Sequence, residues 1–169
     1  HVLVEKPLTP AAKDGFVLHD EALRRGLVLQ VGHVFRFTPE AQATSKIVAA
    51  GDLGRIRYAV ARFASFKRPR TDGGIAISDG VHFVDLLSWL LGRQPEAVTA
   101  TLRDHLGRGI DDAAFLSLDY GDVLGVVEAL GALLIVPEIR VFGFAIELRQ
   151  TSARLVEVKD ASSAVQPTA

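Results

Sequence analysis

The apolar positions along the chain follow two different periods. Val2-Leu3-Val4 is apolar on both sides of the backbone and reads as a short buried strand, ended by Glu5-Lys6-Pro7. Thr9-Pro10 is a helix-start signal, a hydroxyl cap followed by proline at the first helical position. Ala11, Phe16, Leu18, Ala22 and Leu23 supply the apolar positions of that helix. Arg24 and Arg25 suit the negative end of its dipole, and Gly26 closes it. Leu27 to Val31 reads as a second buried strand. Strand–helix–strand of this kind matches the last part of a doubly wound α/β domain.

After Gly32 the pattern changes. Phe35-Arg36-Phe37 leads into Thr38-Pro39-Glu40, a second helix start, and the helix runs to about Ala50 before the turn Gly51-Asp52-Leu53-Gly54. Ile56 to Phe66 alternates as a strand does; residues 67–74 form a polar loop, and 79–91 a helix with Asp79 as its cap. Strand candidates follow at 97–103, 112–120, 123–130, 138–148 and 153–158, and the Gly-Asp turns between them suggest an antiparallel sheet. The tail from Ala161 is small and polar and is expected to fray. The expected fold class is therefore α/β plus α+β. Residues 1–32 end one α/β domain, 33–160 form an α+β domain with a mostly antiparallel open sheet, and 161–169 are a flexible tail.

Composition narrows the function. The 169 residues suffice for about one domain, or one domain and a piece of another. With 49% hydrophobic and 23% charged residues the chain can bury a sizeable core. A net charge of -1 gives no basic surface for nucleic acid. No cysteine is present, which excludes disulfides and thiolate metal sites. No apolar run approaches the roughly 18 residues that cross a membrane, and the start carries no signal-peptide pattern, so a cytoplasmic protein is expected. The chain has no methionine and opens directly on a strand pattern, which is read as a sequence continuing upstream.

Four stretches could carry chemistry. Lys6 follows the first strand, where ligands bind in open parallel sheets; it could hydrogen-bond a substrate hydroxyl or a cofactor ribose, or be a solvated lysine beside a turn proline. In GGIAISDGVHFVDLLSWLLG, residues 73–92, Asp79 as cap would put His82 in the first helical turn. The positive helix end would favour a neutral ring ready to accept a proton, while Asp79 or Asp85 would act the other way or fix the tautomer. Gly73 and Gly74 would let the backbone approach a ligand. By spacing alone His82 also reads as a core histidine packed against the sheet with its nitrogens satisfied. His33 and Arg36 sit where the first unit hands over to the second; either they face a cleft, or Arg36 pairs with a carboxylate and His33 is structural. Lys67 and Arg68 belong to a basic loop that is either plain surface or suited to an anionic group. No G-x-G-x-x-G fingerprint, no spaced metal-ligand set and no G-x-S-x-G elbow occurs.

VLVEKPLTP at 2–10, VGHVFRFTP at 31–39, GDLGRIRY at 51–58 and the 73–92 stretch, with VTA at 98–100, occur in an order and spacing that resemble the glucose–fructose oxidoreductase / inositol dehydrogenase / MocA (Gfo/Idh/MocA) family. The likeness covers residues 2 to about 130. It implies that residues 1–32 are the C-terminal remnant of a Rossmann dinucleotide-binding domain, with the glycine fingerprint upstream. It implies NAD or NADP as cofactor and hydride transfer to or from a secondary alcohol of a sugar, an inositol or a nucleotide sugar. Lys6 matches the lysine of the family's Glu-Lys-Pro motif and His82 its active-site histidine; the Lys6–Pro7 peptide is expected to be cis. The family's aspartate often lies four residues before that histidine; here Ser78 holds that position and Asp79 follows. The resemblance thus implies Lys6, His82 and Asp79 as catalytic, Glu5, Lys6, Pro7 and Arg36 on the cofactor side, and His33, Arg36, Lys67, Arg68 and Ser78 on the substrate side. A homodimer or homotetramer through the open sheet face is expected. The rival reading is a non-catalytic sugar-sensing or assembly module of the same fold.

Overall fold

A computed structural model describes residues 1–64 and 73–131 and the backbone of a short strand at 147–148. The chain opens with a βαβ unit: β1 (Val2–Val4), α1 (Ala12–Arg24) and β2 (Leu29–Val31). The two strands pair in parallel, Val2 against Leu29 and Val4 against Val31. The Lys6–Pro7 peptide is cis, as the resemblance implied.

Two local expectations need correction. Helix α1 starts at Ala12, not at Pro10, because the Thr9 hydroxyl donates to the Ala11 carbonyl at 2.8 Å and so folds a separate turn ahead of the helix. The β1 strand is not buried: Val2 is 53% and Leu3 73% exposed, since among the described residues the two strands have little beyond α1 against them. On α1 itself Phe16, Val17 and Leu23 are exposed too. The tightly packed core therefore lies elsewhere.

A 3-10 turn at Val34–Phe37 links this unit to α2 (Pro39–Ala50). Thr38 caps α2, accepting the Ala41 amide at 3.3 Å with Pro39 at the first helical position. Gly51, at φ 76°, ends it in the left-handed region open to glycine. The main sheet runs β4-β5-β6-β3-β7, with β3 (Tyr58–Ala64), β4 (Ala97–Arg103), β5 (Ala113–Asp119), β6 (Leu124–Leu130) and β7 (Glu147–Leu148). Neighbours β4, β5 and β6 form an antiparallel meander, while β3 joins β6 in parallel with Ala61 opposite Val127. The short β7 also joins β3 in parallel. The open, mostly antiparallel sheet expected from the turns is present in the four strands β3 to β6, and the parallel β3 is the addition. It follows from the helical crossover between β3 and β4, which returns the chain to the same end of the sheet.

That crossover ends in α3 (Val81–Leu91). Phe83, Leu86, Leu87 and Leu90 recur at helical spacing and are all buried, against Ala59, Ala61, Leu118 and Val127 of the sheet. Each buried leucine contributes roughly 2–3 kcal/mol by removal from water. Small residues on the strands allow the close approach: Ala59, Ala61 and Ala129 line the covered face. The buried Tyr120 hydroxyl meets the Ser88 hydroxyl at 3.0 Å, so its polar end is satisfied inside the core. The strand candidate at 153–158, most of that at 138–148 and the tail 161–169 lie outside the described residues.

Candidate active site

The site sits where the βαβ unit meets the head of α3. That head differs from the expected one. A π turn, Ala76–Gly80, precedes α3, so the helical segment begins a full turn before Asp79. Asp79 is 6% exposed inside this turn and is not the cap. The cap comes from far away in sequence: Asp111 Oδ2 accepts the Ala76 amide at 2.8 Å, and the Asp111 carbonyl accepts the Ile75 amide at 2.8 Å. Gly74 is needed here for room rather than for a ligand. A Cβ on it would lie 1.7 Å from Asp111 Oδ1.

Lys6 crosses from the end of β1 to this turn. Its ammonium donates to the Ser78 carbonyl, 72 positions away. Ser78 is buried, and its hydroxyl donates to Asp79 Oδ2 at 3.1 Å. Single-turn π segments occur frequently at functional sites. This one presents a main-chain oxygen to a lysine from another unit.

His82 is 7% exposed. Phe35 stacks on its ring at 4.4 Å between centroids and 23° between planes, and the His33 ring stands edge-on at 6.1 Å. The Nδ1 atoms of both histidines are buried without a hydrogen-bond partner among the described residues. Burial pushes the His82 pKa below the ordinary histidine value, and the charge of Lys6 and the neighbouring His33 push the same way, against Asp79 and Asp85. His33 is also lowered, first by burial, with Arg36 and Lys6 acting in the same direction and Asp85 opposing. The His82 pKa is thus lowered, in the direction expected, but the cause is not a helix N-terminus. It is desolvation beside a lysine.

Asp85, one turn along α3 from His82, organises the neighbours. Arg36 holds it through two nitrogens: Nε donates to Oδ2 at 2.7 Å and Nη2 to Oδ1. His33 Nε2 lies 3.8 Å from the same Oδ1. The pairing raises the Arg36 pKa further. Of the two readings of Arg36, the structure shows the carboxylate pair. Lys6, His33, Ser78, Asp79 and His82 are brought together. Glu5 is exposed and lies beside Gly32, whose Cβ would come within 3.4 Å of Glu5 Oε1; Pro7 is half-buried. Lys67 and Arg68 lie outside the described residues.

Phe35 and Asp111 are neighbours of the site that sequence reading misses. Phe35 carries a signal, since it sits two residues from His33 in a stretch already singled out. Asp111 carries none, because its role exists only once β4 and β5 bring it to Gly74. No helix among the described residues is long and apolar enough to cross a membrane.

The chain is similar to several known proteins. Residues 41–143 match the model of the GFO/IDH/MocA C-terminal domain. The chain is 37% identical over 119 residues to a dTDP-3,4-didehydro-2,6-dideoxy-alpha-D-glucose 3-reductase of Streptomyces violaceoruber, covering 66% of this chain and 35% of that one. It is 32% identical over 126 residues to inositol 2-dehydrogenase 2 of Saccharopolyspora erythraea, covering 70% and 37%. The solved structure of yvaA from Bacillus subtilis superposes with a TM-score of 0.72 at 26% identity, over 80% of this chain and 41% of the other. The chain therefore spans well under half the length of these relatives. The matched domain, the open sheet and the order of the motifs together establish that the chain belongs to the GFO/IDH/MocA family, a family of NAD(P)-dependent oxidoreductases.

Proposed function

We propose that this chain carries the proton-transfer half of an NAD(P)-dependent oxidoreductase acting on a secondary alcohol or ketone of a sugar, inositol or nucleotide-sugar-like substrate. Two relatives, one named as a dTDP-sugar reductase and one as an inositol dehydrogenase, support that substrate class. The observation that carries the reading is that Lys6 reaches from one unit of the fold to the turn just ahead of the buried His82 in the other, where its charge helps to lower the His82 pKa.

The residues present fit a nicotinamide cofactor at one edge only. Lys6 closes a parallel strand, where such ligands bind, and the two buried imidazole nitrogens offer acceptors for an oxygen-bearing partner. Glu5, Lys6 and Pro7 would flank the cofactor. When bound, it supplies the hydride acceptor or donor. Arg36 acts through Asp85 rather than on the ligand. In alcohol oxidation the hydroxyl must lose its proton as the carbon loses hydride. His82 accepts that proton on its neutral ring, and the Lys6 ammonium stabilises the negative charge that develops on oxygen. The imidazolium so formed beside Lys6 is offset by Asp79 and Asp85, the two groups that raise the His82 pKa. His33 and Ser78 line the substrate side.

In this reading residues 1–32 complete the dinucleotide-binding domain, 33–160 form the substrate and oligomerisation domain, and 161–169 a tail. The sheet face opposite α3, where Phe115 and Leu124 are each 43% exposed, is the surface proposed for a homo-oligomer.

Replacing His82 by alanine tests the reading. Acid–base help of this kind contributes roughly 10²- to 10⁴-fold, so turnover should fall by that factor while cofactor affinity holds. Steady-state kinetics with unchanged turnover excludes the assignment. Sugar binding without any turnover in the parent protein favours the sensing module.

A further inference from the structure

The turn that presents Ser78 to Lys6 has to be held in an uncommon helical geometry, and the hold comes from a residue outside the site. We propose that Asp111 is a positioning residue for the Lys6–His82 pair, acting by pinning the start of the π turn; the functional part of this rests on the reading above.

The chain of contacts is continuous. The Asp111 carboxylate takes the Ala76 amide and its carbonyl the Ile75 amide, each at 2.8 Å. Gly74 fits under the carboxylate only because it has no side chain: a Cβ would meet Oδ1, Cγ and Oδ2 at 1.7, 2.2 and 2.6 Å. The Gly74 carbonyl in turn accepts the Ser78 amide at 2.9 Å, which fixes the peptide whose neighbouring carbonyl receives Lys6. Ile75 is buried with Ala114 and Ala129, so the anchored end cannot swing away.

Asp111 is itself held by its neighbour. The Asp112 amide donates to the Arg103 carbonyl, and the Asp112 carbonyl accepts the Gly131 amide, both at 2.9 Å. The sheet ends of β4 and β6 thus locate Asp111, and Asp111 locates the turn. Helix capping alone would stabilise α3 and nothing more. Here the capped turn also sets where Ser78, Asp79 and His82 stand relative to Lys6.

The test is made without turnover, so it stands or falls apart from the catalytic reading. His82 faces Lys6, His33, Asp79 and Asp85, and burial and Lys6 hold its titration low. In Asp111→Ala, loosening the turn admits water and releases Lys6. The NMR titration of the His82 ring, identified by its loss in His82→Gln, should move up toward the ordinary histidine value. Amide exchange over residues 75–80 should speed by about fivefold or more, the factor that corresponds to a lost cap. Asp111→Asn keeps an acceptor oxygen and should restore both readouts. If Asp111→Ala folds poorly, Gly74→Ala displaces the same carboxylate with Asp111 intact and should shift His82 the same way. Adding Gly74→Ala to Asp111→Ala should then cost less than the sum, because the clash is gone. A lowered melting temperature with the His82 titration unmoved in these variants overturns the proposal and leaves Asp111 a structural cap.

Discussion

Asp85→Ala separates the organising carboxylate from the groups it holds. In the native site Asp85 accepts two hydrogen bonds from Arg36, and its side chain is 11% exposed against 35% for Arg36. Breaking a fully buried pair typically costs about 3–5 kcal/mol, and an exposed one about 0–1 kcal/mol. The pair lies between these limits, with one partner in contact with water, so a loss of about 2 kcal/mol is expected. With a urea slope of roughly 2 kcal/mol per M for a domain of this size, the unfolding midpoint should fall by about 1 M with the slope unchanged. A cycle with Arg36→Ala isolates the pair: the double variant should lose clearly less than the two single losses added. The electrostatic sign gives a second readout. Asp85 raises the pKa of both His33 and His82, so in Asp85→Ala both rings should titrate lower than in the parent, His33 more so because the freed Arg36 charge remains beside it. Additive single losses, or histidines that titrate higher in the variant, would refute the account of Asp85 as the shared counter-charge.

Lys6→Gln should act in the opposite sense, raising the titration of His82 and of His33, since the lysine charge lowers both; ring NMR against pH checks it. The pH dependence of stability should show two separate acid limbs. His33 and His82 have folded pKa values below their unfolded ones, so the unfolded chain takes up those protons first and stability falls as pH drops below roughly 6.5. Asp112, 3% exposed, is pushed up by burial but more than compensated by His105 and the main-chain amides of His105 and Leu106, leaving its pKa below the usual carboxylate value. Its contribution is present above the unfolded carboxylate pKa and lost as pH falls through the folded one, so Asp112→Asn should flatten only the lower limb in urea unfolding measured across pH.

Much of this fold can be read without coordinates, and the parts that cannot have a common cause. The strand expected at 97–103 is found at Ala97–Arg103, and those at 112–120 and 123–130 are found within a residue at each end, at 113–119 and 124–130, because alternation and the Gly121 turn are local signals. Helix α2 begins where Thr38-Pro39 says, since the cap acceptor lies in the same peptide stretch. The heads of α1 and α3 were not legible for a different reason. At Thr9 the hydroxyl found a nearer acceptor, and at Ala76 the cap is a carboxylate 35 positions along the chain. The site behaves alike. Sequence spacing leaves His82 as either a base or a core ring, and only the resemblance joins it to Lys6. The stacking of Phe35 and the double grip of Arg36 on Asp85 depend on distances that no single stretch encodes.

The π turn at Ala76–Gly80 has one consequence for how such a site can arise. Relative to an ordinary helix it amounts to a single inserted residue, and each residue rotates a helix by about 100°. One codon more or less at this point therefore turns everything upstream of it by over a quarter circle while leaving the leucine stripe of α3 seated on the sheet. Ser78 and Asp79 can thus be re-aimed without repacking the core, whereas His82 and Asp85 ride on the same helix as the leucine stripe and keep their place with it.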